Sequence, residues 1–301
     1  MRTIEHSGVL AAVTSSALGG MAAAVTRFAL GASDPVMLAL FRFGLGFLFL
    51  LPVALALRVR WPKGRDWLAV AALGVMFYGA FFVVYGEALV YTTAARGSLA
   101  VATLPLLTMI VAALLGREAL SARKSLGVIV AMGGVAIALG AGLSAAPAQA
   151  WRGDLIMLSG MLAMALYNVL SRPLMSRSSA LGYAAAGMGF GASFNALAAW
   201  QGGGFERIGS FGLGEWLAAF YLGAFAGALG FYLWVYALQR TTPTRVANTI
   251  TVSPVAAALL AAVLLGEPIG VSLIIGVGAV AAGIWIASTE AGERLGRGER
   301  I

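Results

Sequence analysis

The chain has 301 residues, of which 60% are hydrophobic and 11% are charged, and its mean hydropathy is +0.91. Soluble globular domains carry about 25% charged residues and cannot bury so much apolar surface. The composition therefore excludes a soluble domain and predicts an all-α integral membrane protein. The net charge of +8 does not indicate a nucleic-acid partner, because the basic residues lie in short connections between apolar runs.

The side chains that usually hold zinc or form disulfides are almost absent. The sequence has no cysteine, and its one histidine, His6, precedes the first apolar run. These counts exclude disulfides, cysteine nucleophiles and a zinc site with several histidines. The sequence also shows no Walker-type loop and no paired catalytic carboxylates, so we expect neither an enzyme nor a cofactor or metal.

Ten apolar runs follow one another, each near the roughly 20 residues that a helix needs to cross the hydrocarbon core. They lie near residues 8–30, 35–57, 67–89, 96–116, 125–144, 154–173, 179–200, 214–238, 245–265 and 269–288. The first run is longer than the core of a signal peptide and precedes many others, so we expect it to be retained. The sequence thus predicts ten transmembrane helices.

The basic residues are distributed unequally between the two sides of these helices. With the N-terminus in the cytoplasm, fifteen of the 20 Lys and Arg residues lie inside and three, Arg96, Arg152 and Arg207, lie outside. Positive charge is retained on the cytoplasmic side of membranes. We therefore predict a multi-pass protein of the bacterial inner (plasma) membrane with both termini, including the tail 289–301, in the cytoplasm.

The two halves of the sequence repeat each other at a shift of 149 residues. The matching pairs are Trp67 and Trp216, Arg96 and Arg245, Pro105 and Pro254, and Glu118 and Glu267. Chance similarity between apolar helices is the alternative, but it does not favour these residue types at one fixed shift. We therefore divide the chain into five-helix repeats at 1–150 and 151–301. Because five is odd, the second repeat is inverted in the membrane, and inverted repeats place a substrate site where the halves meet.

Several motifs resemble those of a known family. They are EALVYTTAA at 87–95, Pro105, LLGRE at 114–118, and a second copy ending in Pro254 and LLGE at 264–267. Together they resemble the EamA-type drug/metabolite transporter superfamily over residues 8–288, and Arg42 fits that family's second helix. In overall pattern the chain looks closest to the YddG-like exporters of aromatic amino acids. This resemblance implies ten helices arranged as a basket around a central cavity, but the scaffold does not fix the cargo.

One face of the third predicted helix is aromatic, because Tyr78, Phe81, Phe82 and Tyr85 follow the i, i+3, i+4, i+7 spacing. The repeat makes Phe231 and Trp234 equivalent to Phe82 and Tyr85, whereas glycines at 227 and 230 leave space at the other two positions. We predict that a flat apolar side chain binds against Tyr78, Phe82, Tyr85, Phe231 and Trp234. The alternative is packing against lipid or in an interfacial aromatic belt.

Polar side chains inside the spans are candidates for binding the backbone groups of an amino acid. We single out Asn168, Asn248 and Thr251, the last two on one face beside Pro254, whose ring frees a backbone carbonyl one turn earlier. Pro105 is the equivalent proline of the first repeat. The alternatives are that the threonine bonds back to its own helix and that the asparagines join helices to one another.

Charged residues near or within the spans have two interpretations. Arg42 lies about a third of the way into the second helix, where an unpaired charge costs at least a few kcal/mol. It either contacts a substrate carboxylate or, as we prefer, caps carbonyls or reaches the outer interface near Asp34. Glu87, near the outer end of the third helix, is a candidate for proton coupling. Glu118 and Glu267 are expected to cap helices or close hairpins.

These features predict a transporter that exports amino acids, aromatic or broadly neutral, by alternating access. Its expected partners are a small-molecule substrate and the lipid bilayer, and its expected working unit is a monomer. The first alternative is an exporter of other small metabolites or of cationic drugs, although the first helix carries no acid to bind a cation. A membrane enzyme or a non-transport scaffold ranks last, because the loops are short.

Overall fold

The computed structural model describes residues 2–29, 33–91, 100–143, 149–253, 255–256 and 271–288. Within these ranges every regular element is helical, as the sequence predicts. In chain order the helices are α1 (Arg2–Ala29), α2 (Pro35–Ala56), α3 (Asp66–Gly74, continued by Val75–Phe81 and Phe82–Tyr91), α4 (Leu104–Leu114), α5 (Ala122–Leu143), α6 (Ala150–Arg177), α7 (Ala180–Gln201), α8 (Leu213–Arg240), α9 (Pro243–Asn248, continued by Thr249–Thr251) and α10 (Val271–Ser288). A 3-10 helix, Gly204–Ser210, joins α7 to α8.

The ends of α2, α7 and α8 and the start of α3 agree with the predicted spans to within two residues. Parts of the predicted spans 96–116 and 245–265 lie outside the described residues, as does the tail 289–301. Local sequence explains several helix starts. Asp34 caps α2 by accepting a hydrogen bond from the Met37 N–H (2.9 Å), and Ser179 caps α7 through the Gly182 N–H (2.9 Å). Proline occupies the first turn of α2, α4 and α9, where an N–H group would have no partner within the helix, so its absence costs no hydrogen bond.

The outer surface of the bundle is that of a membrane protein. Within the described ranges, four helical stretches are long and apolar enough to cross a bilayer, namely Pro35–Ala56, Asp66–Ala88, Ala150–Arg177 and Leu213–Arg240. Large apolar side chains are exposed along them, and exposed tryptophans lie near helix ends. These are Trp67, Trp151, Trp200, Trp216 and Trp285. Tryptophan is enriched where membrane helices meet the headgroups, so this arrangement indicates a lipid-facing surface.

The helices of the two halves of the chain pack in reciprocal pairs. The predicted repeat makes helices α1 to α5 equivalent to α6 to α10. Helix α1 packs on α8, and its equivalent α6 packs on α3; α2 packs on α8, and its equivalent α7 packs on α3. Finally, α1 packs on α9, and α6 packs on α4. In addition α2 packs on α7, α4 on α9 and α5 on α10. Each of the first three contacts therefore has a counterpart in which the roles of the halves are exchanged.

Small residues set the closest of these contacts. A Cβ added to Gly134 on α5 would lie 2.9 Å from the carbonyl oxygen of Gly276 on α10, and one added to Gly283 would lie 2.6 Å from that of Gly127. Glycine is the residue that allows membrane helices to approach backbone to backbone. The α5–α10 pair is thus held by close packing rather than by large side chains.

Candidate functional site

Three helices contain a π-helical turn near their middle: α2 at Phe41–Leu45, α3 at Val75–Phe81 and α8 at Leu222–Leu229. Such turns disturb the regular pairing of the backbone and occur frequently at functional sites. Neighbouring helices donate hydrogen bonds to carbonyl oxygens here. Asn195 on α7 donates to the carbonyl of Tyr78 (2.9 Å), and Ser15 on α1 donates to that of Gly230 (2.7 Å). Tertiary contacts therefore support both the α3 and the α8 turn.

Helix α8 crosses α2 at short range because two glycines face the contact. A Cβ on Gly227 would collide with the carbonyl oxygen of Arg42, and a Cβ on Gly223 would lie 3.2 Å from the carbonyl oxygen of Phe41. The sequence suggests that Gly227 leaves space for a substrate. The backbone of α2 fills that space instead, because α8 approaches it directly.

An aromatic cluster lies where these three turns meet. The ring of Phe43 is 5.2 Å from Tyr78, 4.8 Å from Phe82 and 5.4 Å from Phe231, measured between centroids. Most of the pairs are edge-to-face, a geometry that adds about 0.5–1.5 kcal/mol per pair to the burial of the rings. Phe82 and Phe231, which the repeat makes equivalent, come within 6.2 Å of each other. The cluster is thus built from both halves of the chain.

Arg42 lies over this cluster. Its guanidinium carbon is 4.7 Å from the centroid of Phe82, 5.4 Å from Phe231 and 5.7 Å from Phe43. The Nε atom is buried without a hydrogen-bond partner, and no carboxylate of the described residues forms an ion pair with this side chain. The preferred sequence interpretation, a structural role in which Arg42 caps carbonyls or reaches the outer interface near Asp34, stays a prediction; in this structure Asp34 caps α2 and the guanidinium rests on the rings.

The cluster has a buried side and a more accessible side. Tyr78 is fully buried, and its hydroxyl pairs with that of Tyr167 on α6 (2.8 Å). Arg42, Phe82 and Tyr85 are only half-buried, and the Tyr85 ring is 6.5 Å from that of Phe82. Of these residues, Arg42, Phe82 and Tyr85 therefore keep some exposed surface, whereas Tyr78 keeps none.

Trp234 and Asn168 contact each other beside the cluster. The indole N–H of Trp234 donates to Asn168 Oδ1 (2.9 Å), and both side chains are buried between α8 and α6. The amide nitrogen of Asn168 is buried without a hydrogen-bond partner in the described structure. The structure thus brings these two predicted site residues into contact with each other.

Of the predicted polar residues of α9, Asn248 contacts another helix and Thr251 bonds to its own. Asn248 directs its amide nitrogen towards the carbonyl of Gly283 on α10 (3.4 Å), and the Thr251 hydroxyl donates to the carbonyl of Asn248 (2.7 Å). Pro105 is buried in the first turn of α4, whereas Pro254 lies outside the residues that the structure describes. Glu87 is exposed on α3. In the part of the chain described, no cluster of His, Cys, Asp or Glu could hold a metal ion.

Glu118 joins the two halves away from the aromatic cluster. One carboxylate oxygen accepts the N–H of Thr244 at the start of α9 (3.2 Å), and the other forms an ion pair with Lys124 at the start of α5 (3.0 Å). The side chain is only 5% exposed. This residue therefore caps a helix and closes its own hairpin, as the sequence suggests. Its predicted counterpart, Glu267, lies beyond the described ranges.

Some residues of the site have little signal in the sequence. Phe43 follows Arg42 in the second helix, and the sequence Phe-Arg-Phe at 41–43 is the one signal that could have indicated Phe43 as a site residue. Tyr167 and Asn195 are polar residues in apolar helices and look like many others of their kind. Only the fold shows that they meet Tyr78 from helices about a hundred residues away.

The sequence matches one family twice, over residues 6–140 and again over residues 151–289. Both matches are to the EamA-like transporter family, and together they cover most of the chain. The protein belongs to the EamA-like transporter family. The prediction of a non-enzymatic membrane transporter is thereby confirmed.

Individual EamA relatives cover most of the chain as well. An uncharacterized transporter of Archaeoglobus fulgidus is 24% identical over 89% of this chain and 93% of its own. An uncharacterized protein of Pseudomonas aeruginosa is 34% identical over 83% and 82%. A protein of Streptantibioticus cattleyicolor, named "Probable terminal-alkyne amino-acid exporter", is 28% identical over 70% and 69%. A solved crystal structure shares the fold with a TM-score of 0.78, at 22% identity and 96% coverage of this chain and 99% of its own.

Proposed function

We propose that this EamA transporter exports amino acids with aromatic or other apolar side chains. The observation that carries the proposal is the site at the π turns, where a half-buried cation lies beside aromatic rings from both halves of the chain. A free amino acid offers a carboxylate and a side chain that match these two chemistries. The relative named as an amino-acid exporter supports this cargo, and the YddG-like subtype is part of the proposal.

Alternating access follows from the proposed architecture of ten transmembrane helices in two inverted five-helix repeats, 1–150 and 151–301. The reciprocal packing of the helices supports it, because a two-fold axis that relates the halves requires each crossed contact to occur twice. The double match to the family supports it too. The α3 and α8 π turns overlap after the shift of 149 residues and lie close to the site. Rocking one half against the other at these turns would open the site to each side in turn.

Within this site we assign the contacts with the cargo side chain to Phe82, Tyr85 and Phe231. Tyr78, Trp234 and Asn168 hold these rings in place from the buried side. Asn248 and Thr251 lie on α9 and are proposed to contact the cargo only when the site opens. Each transporter is proposed to work as a monomer.

The first test is efflux of labelled phenylalanine from liposomes that contain the purified protein. We expect the wild type to release phenylalanine faster than protein-free liposomes, and Phe82→Ala to release it about tenfold more slowly, because the half-buried ring is lost from the site. Phe49→Ala is the matched control, since Phe49 lies on α2 and is 39% exposed. Its efflux should equal that of the wild type.

Two results would contradict this proposal in different ways. No efflux from wild-type liposomes would remove phenylalanine as a cargo and direct the search to other small metabolites or cationic drugs. Equal loss of efflux in Phe82→Ala and Phe49→Ala would show that the site is not at the π turns. The same liposomes with an imposed pH gradient distinguish a facilitator from a proton-linked carrier, and Glu87→Gln tests the only candidate we advance for proton coupling.

The orientation of the helices can be tested directly, because the chain has no native cysteine to label. With both termini in the cytoplasm, the connection between α6 and α7 lies inside and that between α7 and α8 lies outside. A membrane-impermeant maleimide should therefore label Gly209→Cys in intact cells, where a new side chain meets open space. It should label Ser176→Cys, an exposed position, only after the cells are permeabilised. The opposite pattern would reverse the orientation, and labelling of both in intact cells would exclude a crossing by α7.

A further inference from the structure

Arg42 is a cation whose hydrogen-bonding capacity the described protein leaves unused. A guanidinium carries five N–H donors in a planar fork that matches a carboxylate. The rings of Phe82, Phe231 and Phe43 attract its charge but offer no lone pair to these donors. Its Nε is buried without a partner. A guanidinium with a purely structural role inside a bundle is expected to pair with carboxylates or backbone carbonyls.

Among the described residues, no carboxylate forms an ion pair with this guanidinium. Asp34, the nearest acid along the sequence, is engaged at the start of its own helix. The close crossing of α8, made possible by Gly227, places Phe231 one turn further along the same face of α8 and against the guanidinium. The arrangement leaves a positive charge beside flat apolar surfaces.

We propose that Arg42 is the anion receptor of the transport site, which binds the carboxylate of the cargo while Phe82 and Phe231 flank its apolar part. The inference rests on the proposed function and narrows it to one class of cargo, carboxylates that carry an aromatic or other flat apolar group. The amide or the alcohol of the same molecule lacks the anion and is excluded. The ammonium group of an amino acid is not required for binding at Arg42.

The test measures binding of 3-phenylpropionate and of its neutral amide to the purified protein, by calorimetry and by the shift in melting temperature. We expect the wild type to bind the carboxylate about ten- to hundredfold more tightly than the amide, the range for a charge-assisted hydrogen-bonded pair. Arg42→Gln should lose this preference, and Arg42→Lys should keep part of it. Arg240→Gln is the matched control, because Arg240 also lies over a ring, that of Tyr236, at the end of α8.

The outcomes separate this inference from the proposed function. Binding of the acid and the amide with equal strength, binding of neither, or an unchanged preference in Arg42→Gln would overturn the receptor. Phenylalanine efflux in the same variants adds an independent readout. A wild type that binds 3-phenylpropionate through Arg42 but releases no phenylalanine would remove phenylalanine as a cargo and leave the receptor standing. Phenylalanine efflux whose KM is unchanged in Arg42→Gln, at normal protein level and melting temperature, would overturn the receptor and leave phenylalanine as a cargo.

Discussion

Gly227→Ala should abolish transport and lower the melting temperature by about 5 °C or more, although it adds only one methyl group. The new Cβ would collide with the backbone carbonyl oxygen of Arg42, and a backbone atom in a helix cannot turn aside as the end of a side chain can. Helix α8 must therefore move away from α2. Overpacking of this kind costs about 1–3 kcal/mol or more, and here it also separates Phe231 from Arg42.

Gly19→Ala is the control for this substitution. Gly19 lies within α1, and a Cβ added there meets nothing within 4 Å. Alanine in a helix is favoured over glycine by roughly 0.5–1 kcal/mol, so this variant should melt at or slightly above the wild-type temperature. Melting curves from intrinsic fluorescence, with size-exclusion profiles in detergent, compare the two variants. Wild-type stability of Gly227→Ala would show that α8 and α2 are not in backbone contact.

The helices were predictable because the length of an apolar run depends on the sequence alone. A run that spans the hydrocarbon core must satisfy its backbone internally, so it forms a helix whatever its neighbours are. This is why α2 and α8, which are long and apolar enough to cross a bilayer, begin and end close to the predicted residues. The repeat also paired Phe82 with Phe231 across 149 residues, and the structure brings their rings together.

The π turns could not be predicted, because their cause lies in other parts of the chain. The carbonyl of Tyr78 is held by Asn195, which is 117 residues away, and the carbonyl of Gly230 is held by Ser15, 215 residues away. A side chain that reaches a helix from such a distance leaves no pattern in the local sequence. The periodicity of α3 predicted the face on which Tyr78 lies. It did not predict that Tyr167 and α6 bury this side chain.

The roles of Gly227 and Arg42 could not be predicted for the same reason, because they depend on contacts with distant parts of the chain. A glycine in an apolar helix can leave space or admit another backbone, and the sequence does not show which. Likewise, an arginine within a span can cap carbonyls, reach the interface or contact a substrate, and the sequence leaves these roles open. The structure answers the question for Gly227, because the backbone of α2 occupies the space beside it.

Glu118→Ala should release the start of α9 and, in the proposed orientation and alternating-access cycle, shift the transporter towards a state open on the cytoplasmic side. In this conformation the carboxylate accepts the Thr244 N–H and pairs with Lys124, and it thereby ties the connection between α4 and α5 to the second half of the chain. Hydrogen bonds to a charged group contribute about 1.5–3 kcal/mol. If the pair of contacts exists only in the closed state, their loss raises the open population by about ten- to hundredfold.

A cysteine at position 244 can report this opening, because no other thiol competes for the label. Thr244 is fully buried and its hydroxyl has no hydrogen-bond partner among the described residues, so Thr244→Cys replaces one small side chain by another with little disturbance. We expect the thiol to react slowly with a maleimide in the parent and at least tenfold faster after Glu118→Ala. Glu118→Gln should give an intermediate rate, since its amide oxygen still accepts the Thr244 N–H.

Glu215→Gln is the matched control, because Glu215 also caps a helix. It accepts the Gly212 N–H (2.9 Å) at the start of α8, whereas α9 follows the other end of that helix. It should leave the labelling rate of Thr244→Cys unchanged, and a rate that rises equally in both variants would indicate general loosening of the bundle. A faster reaction only in Glu118→Ala, at an unchanged melting temperature, would identify the contact as a closure. Because the repeat makes Glu267 equivalent to Glu118, the same logic predicts that Glu267→Ala favours opening towards the outer side.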